Sequence, residues 1–180
     1  MRILVLNPGR GWHNFSIGPF MSQSLDELFE LLRKASAPVE IAAVQHAIWE
    51  VWLDSGDPAL NKHLEEGMRA LAAEEYTRAI AEFTHLVEQR PTWAEGWNKR
   101  ATAHYLRGGY RASLLDIQET LRLEPRHFGA LSGWAGMLQL LGDERGALRI
   151  LQRLARLCPQ MPGLQARIRD LRDQLPEADN

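Results

Sequence analysis

The stretch Ala94–His127, AEGWNKRATAHYLRGGYRASLLDIQETLRLEPRH, is one copy of a motif that recurs every 34 residues. Proline marks the period most clearly, because Pro91, Pro125 and Pro159 lie one period apart. Between the prolines, small and aromatic residues keep the same spacing: Tyr76 and Tyr110; Gly108 and Gly142; Gly67, Ala101 and Ala135; Ala79, Ser113 and Ala147. A period of this length indicates stacked structural units.

A 34-residue period with small residues and a closing proline is typical of the tetratricopeptide repeat (TPR), a unit of two helices joined by a turn. Because one unit cannot bury its apolar face alone, successive units stack into a solenoid with a concave groove. The predicted fold is therefore an all-α TPR solenoid. Three repeats are predicted at 60–93, 94–127 and 128–161, with helices near 60–73, 76–89, 94–107, 110–123, 128–141 and 144–157.

Shorter segments flank the repeats. Residues 24–58 are predicted to form an N-terminal helix pair, a degenerate repeat or cap, which begins at a capping box formed by Ser24 and Glu27. A C-terminal capping helix is predicted for 162–175, because a solenoid needs a polar outer face at its end. Residues 1–20 are rich in Gly and show no helical period, so we expect a flexible N-terminal arm there.

The beginning of the chain bears on its compartment. The apolar run Ile3–Leu6 is too short for a secretory signal, and no stretch is long enough to span a bilayer. A cytoplasmic location is therefore favoured. A periplasmic one stays open if the natural start differs, for example if it is Met21.

Parts of the chain resemble one family closely. Ala94–Thr102 and Leu121–Leu131 are similar to a family of small bacterial TPR proteins with plant relatives, and Trp49–Gly56 adds to the likeness. The resemblance covers roughly residues 25–160 and implies the TPR fold, with no catalytic activity and no particular ligand. Many members carry an export signal, from which this chain departs.

The groove of a TPR solenoid is lined mainly by the first helix of each repeat. Spacings of 3 and 4 place Glu95 and three later polar residues of the second repeat on one helical face. In the third repeat, several Gly lie on the first helix, although each costs ~1 kcal/mol relative to Ala. Such a stripe indicates either close approach of a partner or tight packing between helices. The predicted partner-binding residues are Asn98, Thr102, Tyr105, Arg126, His127, Ser132, Gly133 and Gly136.

Other side chains leave alternatives open. The apolar stripe formed by Leu64, Met68 and Leu71 is either a partner site or is covered by the predicted helix 39–53. Arg100 occupies a site that is usually apolar, so we expect it to pair with Asp116 or Glu75. A row of arginines in the third repeat is either a solvated face or a site for an acidic partner: Arg145, Arg149, Arg153 and Arg156.

Several functional classes are disfavoured. The six His show no metal-ligand spacing, and neither a phosphate-binding loop nor a nucleophile elbow is present. The single Cys158 excludes an internal disulfide and a Cys-based zinc site. A net charge of −2, with no aromatic residues among the arginines, argues against nucleic-acid binding. No catalytic residue, cofactor or metal is therefore predicted.

The predicted function is a scaffold that binds a peptide or helix of a partner protein in the groove. The alternative is an accessory subunit whose groove binds a small anionic ligand. Gripping the C-terminal carboxylate of a chaperone, another TPR use, needs Lys, Asn and Arg on facing first helices. This use is disfavoured because Leu64, Met68, Gly129 and Gly133 occupy the matching places.

Overall fold

The structure is a computed structural model that describes residues 3–5, 13–15 and 23–175. Helices dominate the described chain, and the all-α prediction is confirmed for residues 25–174. The six repeat helices begin and end within about two residues of the predicted positions. The helices are α1 (Leu25–Lys34), α2 (Pro38–Leu53), α3 (Pro58–Ala72), α4 (Tyr76–Gln89), α5 (Ala94–Leu106), α6 (Tyr110–Leu123), α7 (Phe128–Leu140), α8 (Glu144–Leu157) and α9 (Leu164–Gln174).

The chain divides into two compact units, of which the first is Met1–Val51. In the segment predicted to be an arm, strand β1 (Ile3–Val5) pairs antiparallel with β2 (His13–Phe15), and the other residues of that segment lie outside the described ones. The capping box is confirmed: the Ser24 N–H donates to Glu27 Oε2 at 2.7 Å, and the Glu27 N–H donates to Ser24 Oγ at 3.3 Å. The apolar faces of α1 and α2 are buried at Leu28, Phe29, Leu32, Ile41, Val44, Ala47 and Ile48.

The second unit, Trp52–Asn180, contains the repeats. Each helix from α3 to α9 packs against the next, and the first helices of neighbouring repeats, α3, α5 and α7, also touch in that order. Small residues permit these contacts: Gly67, Ala101 and Ala135 are buried, and the Ser113 hydroxyl donates to the Ala101 carbonyl at 2.8 Å. The repeated small positions therefore lie where two helices of one repeat approach most closely.

Turn chemistry explains two more of the periodic residues. Gly108 and Gly142 follow the ends of α5 and α7 with φ of +83° and +77°, a conformation that disfavours residues with a Cβ. After the last repeat, α9 packs on α8 and buries Leu164, Ile168 and Leu171. None of the helices within residues 23–175 is long and apolar enough to cross a membrane.

Arg100 makes the predicted ion pair. Its Nε and Nη2 donate to the two carboxylate oxygens of Asp116 at 2.9 and 2.8 Å, which is the bidentate geometry that favours Arg over Lys. The guanidinium also lies over the Trp97 ring, 4.9 Å from its centroid. Because this guanidinium is held by α6, it links the two helices of the second repeat.

Candidate partner-binding face

Residues one period apart occupy equivalent positions on α3, α5 and α7, which touch in that order. Two rows follow from this arrangement. The inner row consists of Leu64, Asn98 and Ser132, and the outer row consists of Met68, Thr102 and Gly136. The two rows have different surroundings, so the predicted binding residues do not form one surface.

The inner row is largely buried. Leu64 belongs to an apolar cluster that includes Phe83, Leu86 and Trp93. Asn98 is only 7% exposed, and its amide donates to Glu95 Oε2 at 3.1 Å. Placing Asn98 in the partner-binding face was therefore wrong. A helical period identifies the side of α5 on which Asn98 lies, but long-range neighbours decide how deeply it is buried.

His127 is also buried instead of lining an open groove. It is the N-cap of α7, where its Nδ1 accepts a hydrogen bond from the Ala130 N–H at 3.1 Å. The ring proton then lies on Nε2, which donates to Glu95 Oε2 at 2.8 Å. Since His127 and Glu95 are both fully buried, His127 is corrected from a partner contact to a link between the second and third repeats.

Glu95, Asn98 and His127 form a buried polar cluster, and Lys99, which is 19% exposed, borders it. Lys99 Nζ lies 3.0 Å from Glu95 Oε1. Burial alone would raise the pKa of Glu95, but the Lys99 charge and the His127 hydrogen bond outweigh it and lower this pKa. A general base must reach the proton that it removes, and these carboxylate and imidazole groups are shielded from solvent. The cluster therefore connects α5 to the start of α7 without reaching the surface.

Trp52 connects this cluster to the preceding repeat junction. Its ring stacks on the His127 ring at 4.1 Å with an interplanar angle of 14°. Its carbonyl accepts a hydrogen bond from Trp93 Nε1 at 2.8 Å. Because Trp93 and His127 lie one period apart, Trp52 contacts equivalent positions of two repeats. Trp52, at the start of the second unit, therefore links two successive repeat junctions.

Arg126 lies at the edge of this region and is partly exposed. Its Nε donates to Glu124 Oε1 at 3.0 Å, and its Nη2 donates to Glu124 Oε2 at 3.2 Å. The Glu124 carboxylate therefore neutralises much of the positive charge of Arg126, which was predicted to contact a partner. Arg126 stays a predicted contact at the rim, with Glu124 as its internal competitor.

The outer row and its neighbours remain accessible. Met68 is 40% exposed, Tyr105 is 41% exposed, and Thr102 is also exposed. Leu106 and Leu140, which lie one period apart at the ends of α5 and α7, are exposed as well. We call this set the exposed row: Met68, Thr102, Tyr105, Leu106, Gly136 and Leu140. It carries more apolar surface than the predicted polar stripe.

Gly133 and Gly136 of α7 have room for a methyl group. A Cβ added at Gly133 would meet Ile117 Cδ1 at 3.5 Å, and one added at Gly136 would meet Arg167 Nη2 at 3.9 Å. Both distances are ordinary van der Waals separations. By contrast, a Cβ at Gly67 would overlap the Phe83 ring, with Cδ1 and Cζ at 2.8 Å. Gly67 is thus required for packing, whereas packing requires neither Gly133 nor Gly136.

The arginine row is divided in the same way. Arg145, Arg149 and Arg156 are exposed, but Arg153 Nη2 donates to the Pro125 carbonyl at 2.6 Å.

A cavity of about 460 Å³ lies elsewhere, in the first unit, between the end of α1 and the start of α2. Its lining is mostly apolar with one charge of each sign: Leu31, Lys34, Ala35, Val39, Glu40, Ala43 and Val44. This lining does not favour an anion.

The prediction that the His residues show no ligand spacing overlooked one cluster. His63, Glu66 and Glu82 bring one potential ligand atom each to within 4.8 Å of the others. The sequence signal is the pair of motifs His63-x-x-Glu66 and Glu82-x-x-His85, one on each helix of the first repeat. Recognising it requires the register of α3 against α4, which the sequence alone does not supply.

Comparisons with known proteins agree with this architecture. No protein-family model matches the chain. A TPR repeat-containing protein of Rhizobium etli is 32% identical over 153 residues, which are 85% of this chain and 75% of that protein. This relative confirms the resemblance to small TPR proteins.

Solved TPR domains share the fold at low identity. The TPR domain of Arabidopsis OM64 aligns with a TM-score of 0.60 and 16% identity, covering 65% of this chain and 97% of that one. The Sgt2 TPR domain from Aspergillus fumigatus has a TM-score of 0.60 and 19% identity, covering 69% and 89%. The TPR2B domain of yeast Sti1, in complex with pHsp70, has a TM-score of 0.58 and 15% identity, covering 64% and 98%.

Proposed function

Because this chain belongs to the TPR repeat-containing proteins, we propose that it is a non-catalytic scaffold that binds a peptide or helix of a partner protein across the exposed row. The observation that carries this proposal is the accessibility of Met68, Tyr105, Leu106 and Leu140 on three successive first helices. Contiguous exposed apolar side chains mark interaction sites more often than isolated ones do.

The dimensions of the exposed row fit a short segment. Packed helices lie about 8–10 Å apart, so three first helices span roughly 20 Å between the outer axes. An extended peptide covers that distance with about six residues. Met68 and Leu140 would contact its ends, and Tyr105 would contact its middle, where a large ring contributes most to affinity. Gly133 and Gly136 leave room for the partner backbone beside Thr102 and Ser132.

The alternative, an accessory subunit that binds a small anion in the groove, has less support. The rim residue Arg126 is engaged within the chain, since it donates to Glu124. Arg100 is paired with Asp116 on α6, a second helix. Binding the C-terminal carboxylate of a chaperone is also disfavoured, because Leu64 is buried and Met68 offers no positive charge. An apolar or mixed peptide surface suits the exposed row better.

Site-specific photo-crosslinking tests the proposal. The full-length chain would carry p-benzoylphenylalanine at position 105 on α5 or, as a control, at position 115 on α6. Leu115 is 58% exposed and lies on a second helix, away from the exposed row. We expect position 105 to capture one protein reproducibly and position 115 not to capture it. Capture of the same protein at position 115 alone would contradict the proposed site.

A peptide from the captured protein then allows a quantitative test. Tyr105→Ala should weaken its binding at least ~10-fold, the loss typical of a central aromatic contact. Leu115→Ala should leave the dissociation constant unchanged. Equal losses in both variants would show that the peptide does not use the exposed row.

The arginine row is a second proposed contact, for an acidic segment of a partner. Arg145, Arg149 and Arg156 are exposed along one side of α8, whereas Arg153 is engaged with Pro125. Reversing Arg149 and Arg156 to Glu should weaken binding, and raising salt from about 0.05 to about 0.5 M should do the same because screening shortens electrostatic reach. Binding that is insensitive to both changes would leave this row as a solvated face.

A further inference from the structure

We propose that His63, Glu66 and Glu82, with His85 beside them, bind Zn²⁺ or a similar divalent transition-metal ion on the first repeat. On α3, His63 and Glu66 are three residues apart and lie on one helical face. On α4, Glu82 and His85 have the same spacing. The two helices pack against each other, and this packing brings the pairs together. Neither the TPR fold nor partner binding requires this arrangement.

The distances suit a small cation. One ligand atom from each of His63, Glu66 and Glu82 lies within 4.8 Å of the others, and His63 Nδ1 is 2.8 Å from Glu82 Oε2. Around a tetrahedral zinc ion, ligand atoms lie about 3.3 Å apart, given bond lengths near 2.0–2.2 Å. All three side chains are partly exposed, so rotamer changes can close the remaining distance without moving the backbone.

His85 brings a second imidazole to the same place. Its ring centroid lies 4.3 Å from that of His63, with the planes 43° apart. Imidazole nitrogen selects zinc, copper or nickel over magnesium and calcium, which prefer all-oxygen sites. His63, Glu66 and Glu82 thus provide three ligands of a mixed nitrogen and oxygen site. His85 lies beside this trio and would have to turn its ring to supply a fourth.

Two cations also lie near the cluster. Lys62 Nζ and Arg69 Nη2 each approach Glu66 Oε1 to 4.0 Å. Both are highly exposed, at 74% and 72%, and such long surface contacts contribute little. They can therefore move aside when Glu66 binds an ion. A bound ion would connect α3 to α4.

Calorimetric titration of the tag-free full-length chain with ZnCl₂ tests the proposal directly. We expect saturable binding of one ion, absorption bands of tetrahedral Co²⁺ when CoCl₂ replaces zinc, and no binding of MgCl₂. Zinc in excess should raise the Tm, because a ligand that binds only the folded state stabilises it.

Two ligand variants and a matched control complete the experiment. His63→Gln and Glu82→Gln should each reduce zinc affinity at least ~10-fold, because each removes a ligand. His46→Gln is the control: His46 faces Glu50 at 3.8 Å within α2, and no third ligand among residues 23–175 accompanies that pair. Circular dichroism establishes that all three variants are folded. Absence of saturable zinc binding to the wild-type chain, unchanged affinity in both ligand variants, or an equal loss in His46→Gln would each overturn the proposal.

Discussion

The two halves of α5 differ although they share one helical face. Near its start, Glu95 and Asn98 are buried and take part in the buried polar cluster. Near its end, Thr102 and Tyr105 are exposed. Helical spacing predicts that these four residues point the same way, but it does not predict their depth. A polar stripe on a solenoid can therefore be structural at one end and available to a partner at the other.

The largest effect should follow from removing the centre of the buried polar cluster. Glu95→Ala removes the buried carboxylate that faces the Lys99 ammonium and accepts a hydrogen bond from His127 Nε2–H. Breaking a buried pair in this way typically costs about 3–5 kcal/mol of unfolding free energy. Urea unfolding at neutral pH measures the loss.

Glu65→Ala is the control for this prediction, because Glu65 is exposed on the equivalent helix of the first repeat. Its effect should stay within about 0.5 kcal/mol. If Glu95→Ala were equally mild, the buried cluster would contribute little to stability and the contrast between the two halves of α5 would fail.

Acid should weaken the same cluster. The pKa of Glu95 is lower in the folded state than in the unfolded chain, because Lys99 and His127 stabilise its carboxylate against the cost of burial. Its contribution to stability is therefore fully present above the unfolded pKa of about 4.3 and is lost as pH falls through the folded pKa. We expect Glu95→Gln to be less stable than the wild-type chain at neutral pH, and this gap to narrow on acidification. Chemical unfolding of both proteins at several pH values measures this difference in unfolding free energy. If the difference did not change with pH, the protonation of Glu95 would not be coupled to folding.

The same substitution at Gly67 and at Gly136 should change the unfolding free energy in opposite directions. Alanine at Gly67 would overlap the buried Phe83 ring, so we expect a loss of about 1–3 kcal/mol. Alanine at Gly136 has room and removes a helix penalty, so we expect a gain of up to ~1 kcal/mol. Thermal melting without any partner distinguishes the two. A lower Tm for Gly136→Ala would place this glycine in the packed interior and remove it from the proposed site.

Much of the fold could be predicted because its determinants are local or periodic. The 34-residue period locates the helices, Ser24 and Glu27 cap α1, and Arg100 pairs with Asp116 as its unusual position suggests. The candidate site was less predictable, because its depth depends on contacts between distant parts of the chain. Trp52 and Glu95 both reach His127, and no spacing within α7 reveals either contact. The metal-ligand cluster also depends on how α3 and α4 align.

The smallest expected effect on stability, and the most informative for function, concerns Tyr105. Its side chain is 41% exposed and contacts Tyr110 with ring centroids 5.6 Å apart, so Tyr105→Ala should change the unfolding free energy by only about 0.5 kcal/mol. Asn98→Ala, on the buried half of the same helix, removes a hydrogen bond to a charged acceptor and should cost about 1.5–3 kcal/mol.

If the exposed row binds the partner, Tyr105→Ala nevertheless weakens peptide binding strongly. An effect of Asn98→Ala on binding should instead follow its loss of stability and diminish at lower temperature, where the variant remains folded. Measuring affinity and unfolding for both variants therefore separates the two halves of α5. A variant of Tyr105 that loses stability but keeps full affinity would reverse their assigned roles.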